Sequence, residues 1–137
     1  MKNNIEITLL SKEEYSQYKN IIPKITEPWW LRSPGYSSYS ANNVDSGGYL
    51  GSSDNVNNTK GIRPALHMNL VNLKSLSAGD KIRVGSKSFT ILSWEGDEVF
   101  VLCDEFIATH RFGFNSNQWE TSELKQWLET EGMKFIF

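Results

Sequence analysis

The chain has 137 residues, which by length alone is one domain with room for a proper core. Hydrophobic residues at 39%, charged residues at 22% and a net charge of −2 exclude a disordered chain, a strongly basic nucleic-acid binder and a strongly acidic nucleic-acid mimic. The lone cysteine excludes an internal disulfide framework and a Cys-based zinc site, no apolar run reaches the roughly 20 residues of a membrane span, and the first apolar run is too short for a signal peptide, so a soluble protein of a reducing compartment is expected.

In chain order, Ile5, Ile7 and Leu9 alternate and predict a short strand. Ser11 and Glu14 form a capping box, which starts a helix over about 12–19. Pro23 and Pro28 end regular structure. Trp29, Trp30 and Leu31 then form an apolar cluster closed by Pro34-Gly35. Residues 33–59 are rich in Ser, Asn, Gly and Tyr and carry no Lys or Arg, which reads as a long polar loop. Within it, two very short strands at 41–44 and 48–50 can flank an Asp45-Ser46-Gly47 turn. Residues 62–70 alternate as one strand, with Pro64 placing it at an edge or a strand start. Residues 80–84, 88–94 and 98–102 read as a three-stranded meander with turns at Gly85 and Gly96. A loop at 110–118 follows, then a helix capped by Thr121 or Ser122 that ends before Gly132. The expected architecture is α+β: small antiparallel sheets, two helices and one long loop in a single domain, with residues 1–70 and 79–137 as its halves.

The run Trp29-Trp30-Leu31-Arg32-Ser33-Pro34-Gly35, followed by Gly61-Ile62-Arg63-Pro64-Ala65-Leu66, resembles a family of uncharacterised domains found in Gram-positive bacteria and prophages (DUF6273-like). Residues 79–102 and 115–128, with Trp119 and Trp127, resemble the other half of that family, which there comes first. Lys125 stands where the family tends to Arg, and Ile62 where it tends to Val. The resemblance therefore implies a circular permutation, with residues 70–79 as the new connection and Met1 near Phe137. It implies either a closed monomer or a homodimer that exchanges halves. A looser likeness to C-type-lectin-like folds, such as formylglycine-generating-enzyme-like and phage receptor-binding variable domains, implies a binding surface framed by the loop.

Tyr, Ser, Gly and Asn are the residues that antibody loops favour, because Tyr offers large contact area at low entropy cost. Tyr36, Tyr39, Asn42, Asn43, Tyr49, Asp54 and Asn55 are accordingly the candidate binding residues. Trp29 and Trp30 read as core anchors, and an aromatic platform for a sugar or peptide is their alternative. Arg32 and Arg63 read as buried arginines bonded to carbonyls or a carboxylate, with an anion-binding pair as the alternative. Asp45, Asp54, Asn55 and Asn57 are possible calcium ligands, although without EF-hand spacing. Cys103, His110 and Asp104 are the one candidate nucleophile set, and Cys103 closes an apolar strand. His67 has no acid nearby in the sequence, two histidines are too few for a His-based zinc site, and no phosphate-cradling glycine motif appears.

The expectation is thus a non-catalytic recognition module without cofactor or metal, cytoplasmic or part of a phage particle, binding a protein or glycan through 33–59. The alternatives are a structural component of an oligomeric assembly and an enzyme of formylglycine-generating-like fold.

Overall fold

The computed structural model describes residues 5–70 and 75–137. Met1 and part of the 70–79 connection lie outside the described residues. In chain order the elements are β1 (Glu6–Thr8), α1 (Lys12–Tyr18), β2 (Trp29–Pro34), β3 (Ser40–Val44), β4 (Leu50–Asn55), β5 (Thr59–Ile62), β6 (Ala65–Asn69), β7 (Lys81–Val84), β8 (Lys87–Glu95), β9 (Glu98–Cys103), β10 (Ala108–Arg111) and α2 (Glu123–Thr130). The fold is α+β, as its composition and patterning predict.

The strands form two five-stranded sheets. The first has the order β1-β6-β9-β8-β7 and the second β10-β5-β2-β3-β4. The first is antiparallel throughout, while β2 and β5 in the second run parallel. Each sheet mixes strands from both halves of the sequence. The predicted meander is β7-β8-β9, and Gly85 (φ 61°) and Gly96 (φ 63°) take the positive φ its tight turns require.

Period-two alternation sends neighbouring side chains to opposite faces, and this divides the core into two clusters. Trp30, Ile62, Leu66, Phe89, Val101 and Leu128 pack in one. Trp29, Leu31, Val44, Leu92, Phe100 and Leu102 pack in the other. The adjacent indoles of β2 are thus both buried, one in each cluster.

The structure corrects three local expectations. The apolar cluster at Trp29 is a strand, paired with β3. The strand expected at 62–70 is two strands in different sheets, parted at Arg63-Pro64, because proline cannot donate to a ladder and the chain turns there from one sheet to the other. Part of the expected loop at 110–118 is β10, which pairs with β5 from His110↔Lys60 to Ala108↔Ile62. The helix α2 ends at Thr130, before Gly132 as expected, and Gly132 leads the chain on. It opens a 3₁₀ turn, Gly132–Phe135, that carries the last residues onto the β7–β8 turn.

There the Ser86 N–H donates to the Ile136 carbonyl (2.8 Å) and the Ser86 hydroxyl to the Phe135 carbonyl (3.0 Å). These residues dock at the β7 end of the first sheet, and β1 forms its opposite edge.

The capping box closes as predicted. The Glu14 N–H donates to Ser11 Oγ (3.1 Å) and the Ser11 N–H to Glu14 Oε1 (2.8 Å), with Arg32 Nη1 on the same carboxylate oxygen (2.7 Å). Burial pulls the Glu14 carboxyl upward, but the Arg32 and Ser11 bonds outweigh it and hold its pKa below 4.5. A carboxylate whose folded pKa is depressed contributes stability that is complete above the unfolded value and is lost as pH falls through the folded one. Glu14→Gln is therefore expected to lower the urea midpoint at neutral pH, with the gap to wild type closing as pH drops well below 4.5.

Gly85 and Gly96 provide a paired test. Both need positive φ, but a Cβ on Gly85 would collide with the Ile136 carbonyl, whereas one on Gly96 meets nothing within 4 Å. Gly96→Ala should cost about 1 kcal/mol, the left-handed penalty alone. Gly85→Ala should cost at least about 1 kcal/mol more, because the last residues must move as well. Urea titrations of the two variants measure the difference.

Candidate functional site

The Ser/Asn/Gly/Tyr-rich stretch is built largely as a hairpin. β3 and β4 pair from Val44↔Leu50 to Ser40↔Asn55 around a turn at 45–49, as the two short strands expected there imply. Every residue of β3 is buried. Asn42 and Asn43 are 5% and 6% exposed, and the Asn42 amide donates to the Pro34 carbonyl (2.6 Å). These two candidates lie inside the sheet. The tyrosines lie outside it: Tyr36 is 88% exposed, Tyr39 53% and Tyr49 75%.

The hairpin separates the remaining candidates. Tyr36, Tyr39, Asp54 and Asn55 occupy one end of β3, and Tyr49 the other, roughly 14 Å away at the rise of an extended strand. At the first end, three segments are fastened together. The Asn117 amide donates to the Ser37 and Ser40 carbonyls (2.9 Å each). The Val56 N–H donates to the Tyr39 carbonyl (3.0 Å), and the Val56 carbonyl accepts from Phe112 and Gly113. Phe114, 65% exposed, stands on the third segment, with the Arg111 guanidinium 5.5 Å from its ring centre. The sequence reading passed over Phe114. Its signal was an aromatic among Gly113, Asn115, Ser116 and Asn117, the same company the tyrosines keep. Asp54 is anchored rather than free, held by Lys60 Nζ (2.5 Å), the Asn58 amide and the Asn55 N–H. Burial pulls its carboxyl up, but these partners win and depress it.

At the second end lies a cleft of about 250 Å³ between α1, residues 19–25 and the 45–49 turn. Arg63, 1% exposed, lies at its floor. Its Nε donates to the Cys103 carbonyl (2.7 Å) and its Nη2 to the Pro23 carbonyl (2.8 Å). Its guanidinium carbon sits 4.9 Å from the Trp29 ring centre. Trp29 in turn meets Tyr15 edge-on at 5.6 Å, and the Tyr15 hydroxyl donates to the Gly48 carbonyl. Burial pushes the Arg63 pKa down to about 10, against the opposing charge of Asp104. Burial also raises the Tyr15 phenol.

The expected arginine pair is not assembled. Arg32 lines a different cleft and is neutralised by Glu14. Nor does calcium find its ligands in one place. Asp45 is at the Tyr49 end, where it accepts from the Gly47 and Tyr49 N–H groups, and Asp54 is at the other. The Cys103 set is also dispersed. Cys103 is buried, which raises its thiol pKa and disfavours the thiolate. His110 rests on Trp127 (4.9 Å), and Asp104 accepts from Ser88 and Thr90. Among the described residues, no three His, Cys, Asp or Glu side chains converge as a metal site. Trp119 packs on Phe112 (5.8 Å) and Trp127 on Phe135 (6.0 Å), and both are partly buried against the first core cluster.

Residues 3–70 match the model of a family described as a domain of unknown function, DUF6273. No curated protein and no solved structure matches. No described helix is long and apolar enough to cross a membrane.

Arg63→Met retains apolar bulk but leaves the Cys103 and Pro23 carbonyls without a donor and removes the contact with Trp29. It is expected to lose about 3 kcal/mol of stability. Arg63→Lys, which keeps the charge but not the planar fork, should recover only part of that. Urea unfolding followed by tryptophan fluorescence measures both.

Proposed function

We propose that this chain is a non-catalytic recognition module whose aromatic crest, Tyr36, Tyr39 and Phe114, docks on a protein partner. The observation that carries the reading is the exposure of these three large side chains on backbone segments fastened to one another. An exposed aromatic on a tethered turn has little conformational freedom left to lose on binding, which is how such side chains become hot spots. Serine and asparagine around them supply adaptable hydrogen bonds, the combination antibody loops use. The looser likeness to C-type-lectin-like folds agrees with a binding surface at the end of a β-hairpin. A protein is favoured over a glycan because the nearby carboxylate, Asp54, is already held by Lys60, Asn58 and the Asn55 N–H. It is not free to grip sugar hydroxyls.

The test compares wild type with Tyr36→Ser/Tyr39→Ser/Phe114→Ser in affinity capture from source-cell lysate and on a glycan array. All three side chains are exposed, so the variant should fold with an unchanged urea midpoint. Wild type is expected to retain a defined protein that the variant binds at least about 30-fold more weakly, the loss of about 2 kcal/mol at a single hot spot. Equal capture by both, or binding confined to the glycan array, would overturn the proposal.

A further inference from the structure

The cleft at the other end of the hairpin has a chemistry of its own. Its floor holds a buried guanidinium whose described hydrogen bonds go to two carbonyls, not to a carboxylate. Its walls include Tyr15, Trp29 and Tyr49, and its rim carries Lys19 and Lys24. Three cations therefore face one concave space, and no lining residue is acidic. Two acids act on the lining residues from outside the cleft, Asp45 on Tyr15 and Asp104 on Arg63, and both carry other bonds. Asp45 is spent on two backbone N–H groups of its own turn, and Asp104 on Ser88, Thr90 and Lys81.

A buried cation is costly when its only carboxylate influence, Asp104, is shared with Lys81, Ser88 and Thr90. Two carbonyls and an indole face offset part of that cost, but they bring no negative charge. Clefts lined by one sign of charge with low-dielectric walls focus their field on whatever enters, here an anion. Aromatic walls favour an apolar body on that anion. The volume, about 250 Å³, is at the small end for ligand pockets and limits the body to roughly one ring or one side chain.

From this geometry we propose that the cleft between α1, residues 19–25 and the 45–49 turn binds a carboxylate on a small apolar or aromatic body. The carboxylate faces Lys19 and Lys24 in the field of Arg63, and the body lies against Tyr15 and Tyr49. Two sources share this chemistry: a free organic acid and the C-terminal carboxylate of a polypeptide. The site does not rest on the aromatic crest, which is at the far end of β3.

Isothermal titration of the full chain with phenylacetate, phenylacetamide, inorganic phosphate, and the tripeptide Gly-Gly-Phe with free or amidated C-terminus tests the assignment. A free carboxylate is expected to bind at least about tenfold more tightly than its amide. Lys19→Glu/Lys24→Glu, both on exposed side chains, should weaken the acid about tenfold and leave the amide unchanged. Tyr49→Ala should weaken acid and amide alike. Tyr36→Ser/Tyr39→Ser should change neither, so failure here is distinguishable from failure of the crest. Tighter binding of the tripeptide acid assigns the polypeptide source, and tighter binding of phenylacetate the free acid. The proposal is overturned by equal affinity for acid and amide, by phosphate binding as tightly as the carboxylates, by no binding of either acid at millimolar concentration, or by an unaffected double variant.

Discussion

One buried charge organises this molecule. The chain turns between the two sheets at Arg63-Pro64 and again after Cys103, and Arg63 spans both turns. Its own backbone belongs to the first, and its side chain donates to the carbonyl of Cys103 at the second. The Cys103 N–H donates back to the Pro64 carbonyl (2.9 Å), and the Ile107 N–H to the Ile62 carbonyl (2.9 Å). The second Arg63 bond, to Pro23, fixes the irregular segment after α1. A neutral side chain could fill that space. Only a guanidinium has five N–H groups in a rigid plane, able to reach carbonyls in different directions while its face lies on an indole. The ordering continues outward from Arg63 to Trp29, from Trp29 to Tyr15, and from Tyr15 to the Gly48 carbonyl. The inter-sheet turns and the cleft therefore share one support.

Much of the fold was legible because its signals are local. The Ser11–Glu14 box lies within four residues. The meander strands are punctuated by Gly85 and Gly96, where the backbone needs glycine. The hairpin around Asp45 shows its turn residues directly. What escaped was non-local. A strand looks the same in sequence whichever sheet it joins, so the run through Ile62, Leu66 and Leu70 keeps its alternation across a change of sheet. Pro64 marks the break, but a proline at a strand edge and a proline between two strands read alike. β10 offers four residues, Ala-Thr-His-Arg, whose strand character comes from β5 beside them.

The candidate site shows the same limit in another form. Composition identified the stretch where exposed aromatics gather, yet could not tell inside from outside within it. Asn42 and Asn43 belong to the same polar run as Tyr36 and Tyr39, but pairing with β2 on one side and β4 on the other encloses β3. Gly51 shows how closely: a Cβ there would collide with the Asn43 amide. Small and amide side chains are tolerated inside because an amide can return its donors to nearby carbonyls, as Asn42 does with Pro34. Tyrosine is too large for those positions and is carried on the turns. The cleft was harder still to foresee. Arg63, Tyr15 and Tyr49 are far apart in sequence, and their meeting depends on the inter-sheet turns.

The two ends of the hairpin are held by different physics, and that difference bears on what each can do. The crest is fastened mostly through carbonyls and N–H groups, with Asn117 and the Ser40 hydroxyl as side-chain fasteners. Its three aromatics contribute little to its own rigidity, so they can change identity while the backbone that presents them stays in place. The cleft is fastened through side chains, by the contacts of Arg63, Trp29 and Tyr15 and the bond to Gly48. There the groups that shape the site also support the fold, and a change of chemistry at the floor carries a cost in stability. Variation in what is recognised is thus cheap at the crest and at the rim of the cleft, where Lys19, Lys24 and Tyr49 are exposed, and expensive at Arg63.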